Sequence, residues 1–272
     1  MLLSRGEAWR ATRTPEGPVT TRITPSDQGL TVRAWGPGAA WALETFPGLV
    51  GAEDDDQGFT PDHPLLRDLT RRLPGLWLCR SGAVVEALVP SILEQKVIGL
   101  EARRSYAGLV RALGDPAPGP GGQAGLRVPP SPEKLARTPG YVFHRCGVER
   151  KRADAVRLAC SYARRLEEAV SLPLPAAYAR LTALPGIGPW TAAEVALVAL
   201  GDPDAVSLGD YHLPNQVAYA LAGESRADDA RMLELLEPYR GQRGRVIRLV
   251  VAGAPAPPRF GPRLALNPIA AI

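Results

Sequence analysis

Two features of this chain combine residue types and spacing in a way that could do chemistry. One is Leu184-Pro185-Gly186-Ile187-Gly188-Pro189-Trp190-Thr191-Ala192. The other is Asp210 in Gly209-Asp210-Tyr211, 22 residues beyond Gly188. A Gly-x-Gly turn permits positive φ and close backbone approach. Where it opens into a helix, its N–H groups face outward at the positive helix end and suit a phosphate. Pro189 fits the first turn of that helix, where a missing N–H does no harm. A carboxylate at fixed chain separation from a phosphate anchor points to chemistry on DNA. A lone Asp before a predicted helix ordinarily acts as its cap. The cap and a chemical role are compatible, because a helix N-terminus favours a carboxylate's charge.

The whole pattern resembles the helix-hairpin-helix DNA glycosylase superfamily, in which an LPGIGxxTA hairpin is joined to an essential Asp. Trp190 within the hairpin and a strand-like segment before the helices bring it nearest to the AlkA-type 3-methyladenine DNA glycosylase II group. The resemblance is strong over roughly residues 88–222 and weaker at the N-terminus. It implies a monofunctional enzyme of base excision repair acting on double-stranded DNA. Such an enzyme flips out an alkylated purine of the 3-methyladenine or 7-methylguanine type and hydrolyses its N-glycosidic bond. Asp210 is then the catalytic residue. At about 4 Å and an effective dielectric near 20, a carboxylate stabilises positive charge on the sugar by roughly 4 kcal/mol. That is about a thousandfold in rate.

The remaining roles follow from the same resemblance. Gly186, Ile187, Gly188 and Thr191 hold a DNA phosphate without reading sequence. Trp190, Glu194, Tyr211 and Gln95 line the base pocket, where an electron-rich ring attracts a cationic base. Bifunctional relatives carry a Lys at the position of Trp190, and Trp cannot form a Schiff base; no strand-nicking lyase activity is expected. Gln95 or Lys96, in Ser91-Ile92-Leu93-Glu94-Gln95-Lys96-Val97, plugs the gap left by the flipped nucleotide. Arg150 and Lys151 contact flanking phosphates. His212 reads as a surface or supporting group. Backbone carbonyls of Thr182, Leu184 and Ile187 can bind Na⁺ or K⁺, and no other cofactor is required. The chain departs from the AlkA-type pattern at Lys96, where the wedge is apolar, and at Glu194, where the pocket has an aromatic. It departs again at Val246 to Val251, where a stacking Trp is missing. These departures leave two alternatives open: another damaged base on the same fold, or a non-catalytic hairpin protein that binds DNA.

The elements that must position these residues are legible in part. Trp9–Arg13, Val19–Ile23 and Leu30–Trp35 alternate apolar or β-branched residues with polar ones. Ser26-Asp27-Gln28-Gly29 suits a hairpin turn, and Trp41–Phe46 reads as one more strand. Glu53–Asp56 reads as a solvated acidic connector. From about residue 60 the period is helical. The predicted helices cover about 60–73 (capped by Thr60-Pro61-Asp62), 83–98, 100–113, 149–169, 175–183, 189–200, 211–222, 227–237 and 243–252, with a further start at Ser131. The Pro- and Gly-rich stretch 115–130 reads as a surface loop or disordered insert, and the tail from Ala254 as loosely packed. The expected class is mostly α (α+β): a small N-terminal antiparallel β domain over 1–58, then a helical glycosylase domain over 59–272 with its hairpin at 182–192.

Composition is consistent with this reading. No apolar run approaches the roughly 18 residues of a membrane span. There is no signal-peptide pattern at the start. Cys79, Cys146 and Cys160 give no disulfide framework, and three histidines form no ligand pair. A cytoplasmic, nucleoid-associated monomer with no membrane contact is expected. The first 58 residues carry five basic and eight acidic side chains, the rest 27 and 20. Polyanion binding therefore belongs to the C-terminal part. Only Lys96, Lys134 and Lys151 among the 32 basic residues are lysines.

Overall fold

The computed structural model describes residues 2–4, 6–258 and 269. The fold is mostly helical with a small four-stranded antiparallel sheet at the N-terminus, as the sequence implies. The sheet has the order β1 (Leu2–Ser4), β2 (Glu7–Thr14), β3 (Gly17–Ser26) and β4 (Gly29–Trp35). Registers such as Ala8 opposite Ile23 and Thr20 opposite Trp35 follow from tight turns. Ser26 pairs with Gly29, whose positive φ closes the expected two-residue turn. Trp9 and Trp35 stack at 5.8 Å between ring centroids.

The chain does not divide near residue 58. One compact unit combines the segment through Pro47 with Ala83–Val170; the other combines Gly48–Gly82 with the segment from Ser171. The reason is burial. The sheet needs a cover for its inner side chains, and in its own unit that cover comes from Ala39–Glu44 and from the stretch expected to be a loose insert. Residues 115–130 instead form a short strand pair, Asp115–Pro116 with Arg127–Val128. Ala117, Leu126 and Val128 are buried there against Trp9 and Ala11. Thr20 donates to the Pro118 carbonyl, and Arg10 and Thr12 both bond Glu86. The segment Trp41–Phe46 is likewise no strand. Ala39–Glu44 is a helix, because Gly36-Pro37-Gly38 ends the sheet and its three alanines and one leucine favour helix.

In the first unit, Val84–Glu94 is the most buried helix. Its first amides, at Val84 and Val85, donate to the Glu167 carboxylate. The expected helix 149–169 breaks at Tyr162 into Arg150–Ser161 and Ala163–Glu167.

The second unit has its own core of Leu66, Leu69, Leu213, Val217, Met232, Leu236, Val246 and neighbours. Its first long helix runs Pro64–Arg72, later than Thr60-Pro61-Asp62 suggested. Pro64 sets the first turn, and His63 Nδ1 accepts the Leu65 amide as the cap. The predicted acidic connector is not wholly solvated. Asp54 has a buried side chain and bonds both terminal nitrogens of Arg245, at 2.8 and 2.6 Å. Among the described residues no helix is long and apolar enough to cross a membrane. The tail beyond residue 258, read as loosely packed, lies outside the described residues apart from Ile269.

Candidate active site at the hairpin

The hairpin is built within the second unit from Leu174–Thr182, a turn, and Pro189–Val195. Gly186 has φ +89°. Ile187 is buried beneath the turn and donates its amide to the Leu184 carbonyl at 3.1 Å. Gly188 differs from the sequence expectation: its φ is −95° and ψ −176°, extended backbone that any residue adopts. A Cβ on Gly188 would meet nothing within 4 Å. Gly186 thus serves the turn, whereas nothing inside the protein requires glycine at 188. The helix then widens into one π turn, Ala196–Leu200. The Val198 and Ala199 carbonyls accept the Ser81 and Gly82 amides, so the irregularity has local partners.

Asp210 is tied to the hairpin helix directly. Trp190 Nε1–H donates to Asp210 Oδ2 at 2.9 Å. Asp210 Oδ1 accepts the His212 and Leu213 amides, each at 2.8 Å. The helix itself begins at Leu213, two residues later than expected, and Asp210 caps the turn leading into it. One helical turn beyond Trp190, Glu194 accepts the hydroxyl of buried Ser207. Gly209, at φ +84°, donates its amide to Asp229 at 2.8 Å. The loop 207–213 is therefore pinned to the hairpin helix twice and to the start of the helix Asp229–Leu236 once. Tyr211 is 80% exposed and stands edge-on to His212 at 4.9 Å.

Trp190, Glu194, Asp210 and the glycine turn come together in one unit as the sequence suggested. Thr191 does not join the outer surface: it is 2% exposed and buried beneath the hairpin. Sequence reasoning missed Ser207 and Asp229, which hold the loop.

Gln95, Lys96, Arg150 and Lys151 belong to the first unit. Gln95 ends the helix Val84–Glu94, and Lys96 has φ +57°, the only non-glycine positive φ among the described residues. Burial pushes the Glu94 carboxyl up, against the pull of Arg103. Arg150 and Lys151 are exposed at the start of Arg150–Ser161, with Arg150 3.7 Å from Asp154. The adjacent Arg152 is buried. The arginines near the C-terminus are largely paired with carboxylates of the second unit. Arg240 pairs with Glu237, Arg243 with Asp204 and Arg245 with Asp54.

The fold is similar to that of solved DNA glycosylases. The chain superposes on the 3-methyladenine DNA glycosylase from Archaeoglobus fulgidus with a TM-score of 0.76 at 20% identity, over 92% of this chain and 88% of that one. It matches the 8-oxoguanine glycosylase/lyase of Clostridium acetobutylicum, solved with dsDNA containing cytosine opposite 8-oxoG, with a TM-score of 0.68 at 14% identity, over 89% and 86%. In sequence it is 36% identical over 159 residues to the "Probable bifunctional transcriptional activator/DNA repair enzyme AlkA" of Mycobacterium tuberculosis. That match takes in 55% of this chain and 30% of the relative, so it spans under a third of the relative's length. No protein-family model matches the chain.

Proposed function

We propose that the chain removes an alkylated purine from double-stranded DNA by hydrolysing its N-glycosidic bond. The observation that carries this reading is the Asp210 carboxylate, held by three hydrogen bonds and joined through Trp190 to a glycine turn. The hairpin amides anchor a phosphate, with Gly188 left bare for close approach. Asp210 then opposes the positive charge that builds on the sugar as the base departs. A cationic N3- or N7-alkylated purine leaves without an acid partner, which suits a site with one such carboxylate. Trp190 and Glu194 form the side of the base pocket on the hairpin helix, and Lys96 or Gln95 fills the space that the base vacates.

Release by water, without strand cleavage, is part of the same reading. The second unit draws on residues 48–82 and on the chain from 171, and neither stretch contains a lysine. The hairpin helix therefore carries Trp190, and no side-chain amine, at the position where bifunctional relatives carry a lysine; the wedge candidate Lys96 belongs to the first unit. Backbone carbonyls of Thr182, Leu184 and Ile187 are the donors that would hold a monovalent cation. Leu184 already accepts one amide but keeps a second lone pair. The bound ion would add positive charge beside the phosphate.

The test is incubation of the purified protein with methylated duplex DNA and chromatography of the freed bases, with hypoxanthine- and uracil-containing duplexes alongside. Free 3-methyladenine or 7-methylguanine is expected, and Asp210→Asn should abolish release while abasic-site DNA is still bound. Release of only hypoxanthine or uracil would move the substrate class. No release from any duplex, with DNA binding intact, would make the hairpin a binding device and remove the enzyme.

A further inference from the structure

Two arginines with buried side chains lie in the described chain, and they are satisfied very differently. Arg245 donates to Asp54 through both terminal nitrogens, to the Asp55 carbonyl and to Gln242. Arg152, 3% exposed, donates once within bonding range, from Nη1 to the Leu93 carbonyl at 2.7 Å, and its Nε stands 4.0 Å from the Glu149 carboxylate one turn back on its own helix. Its Nε and Nη2 have no hydrogen-bond partner among the described residues, nor does Glu101 Oε1, which sits 3.9 Å from Nη2. A buried charge left so incompletely paired is destabilising, and its location gives it a use.

Leu93 lies in the last turn of Val84–Glu94, whose final carbonyls have no helical partner. Glu101 lies in the first turn of Gly99–Leu113. Between these helix ends runs the turn Gln95–Ile98, with Lys96 at its apex in the left-handed region. A lysine there is sterically disfavoured relative to ordinary backbone, so something must hold the turn. The turn's own backbone bonds are long: Gln95 N to Ile92 O is 3.3 Å and Val97 N to Glu94 O is 3.4 Å. Arg152 is a side chain that reaches both flanking helices. Its positive charge meets the negative end of one, and it faces the carboxylate that sits at the positive end of the other.

We propose that Arg152, with Glu101, is a positioning residue that clamps the Gln95–Lys96 turn in the conformation needed to fill the space behind a flipped nucleotide. This rests on the reading of that turn as the wedge. The chain's run Arg150-Lys151-Arg152 thus divides its labour: the first two residues face solvent, and the third braces the turn from within.

The test uses the full chain with Arg152→Met, Arg152→Lys, Lys96→Ala and the double variant Lys96→Ala/Arg152→Met. Amide hydrogen exchange at residues 95–98 reports the clamp without reference to DNA. Arg152→Met should accelerate exchange there and leave residues 84–92 protected; Arg152→Lys should recover part of the protection. Unchanged exchange in the turn, or equal acceleration along the whole helix, overturns the clamp. Single-turnover base release, with 2-aminopurine fluorescence as the flipping signal, reports the function. Arg152→Met and Lys96→Ala should each slow release on the order of tenfold or more, and the double variant should be no slower than Lys96→Ala. Additive losses overturn the positioning role. A normal flipping signal in Lys96→Ala overturns the wedge reading separately, because the exchange result stands apart from it. If Arg152→Met fails to fold, Arg152→Lys carries both measurements.

Discussion

At Asp210 three of the roughly four lone-pair positions of a carboxylate are taken by the Trp190 indole and two backbone amides. That leaves one direction in which Asp210 can meet a water or a sugar. It is well suited to be a fixed negative charge, already oriented when the transition state forms. Trp190 is then an orienting group for that carboxylate. Trp190→Phe keeps a ring but removes the N–H donor. A hydrogen bond to a charged group contributes about 1.5–3 kcal/mol, so kcat on methylated DNA should fall on the order of tenfold or more. Affinity for abasic-site DNA should change little. Steady-state kinetics beside a binding titration check this; an unchanged kcat would make the indole a wall only. The residue types at this site were legible, because a Gly-x-Gly turn and an isolated Asp stand out in sequence. The bond between Trp190 and Asp210 was not. It depends on a rotamer set by packing, between residues 20 positions apart in the chain.

The same limit separates the elements. Strands β2 to β4 could be read because their alternation has period two and their turns carry Gly. Trp41–Phe46, read as a strand, falls mostly within the helix Ala39–Glu44, and only the Gly-Pro-Gly break before it marks a new element. The stretch 115–130 looked loose because Pro and Gly dominate it, yet three apolar side chains and the bonds from Arg13 and Thr20 fix it on the sheet. Within the hairpin, two glycines that look alike in sequence do different things. Gly186→Ala forces a side chain into φ +89° and should lower stability by about 1–2 kcal/mol. Gly188→Ala meets open space on extended backbone, so its melting temperature should match the parent's. Its added methyl stands where a phosphate would press against the backbone, and affinity for abasic-site DNA should drop by about tenfold or more. Thermal denaturation and fluorescence titration of both variants separate the roles. Equal DNA affinity in Gly188→Ala and the parent would remove the close approach.

Across the whole molecule, counting charges along the chain misjudged how they are used. The acidic run Glu53–Asp56 helps make the first 58 residues net negative, and the C-terminal arginines help make the rest net positive. Asp54 and Arg245, one from each group, have side chains each 5% exposed and bonded to one another. Burial by itself raises the Asp54 carboxyl. The two bonds from Arg245 and one from the Leu78 amide outweigh it and hold the group below the ordinary aspartate range. The sign of the pH effect follows. A carboxyl whose folded pKa lies below its unfolded value stabilises the fold above about pH 4, and that contribution is lost as pH falls through the folded value. Asp54→Asn leaves Arg245 buried without its counter-charge, so at neutral pH it should cost about 3–5 kcal/mol. The deficit should shrink as acid protonates Asp54 in the parent. Urea unfolding of both proteins, near neutrality and again below about pH 3, reads this directly. A deficit that stays constant with pH would mean that the bond's shape matters and its charge does not.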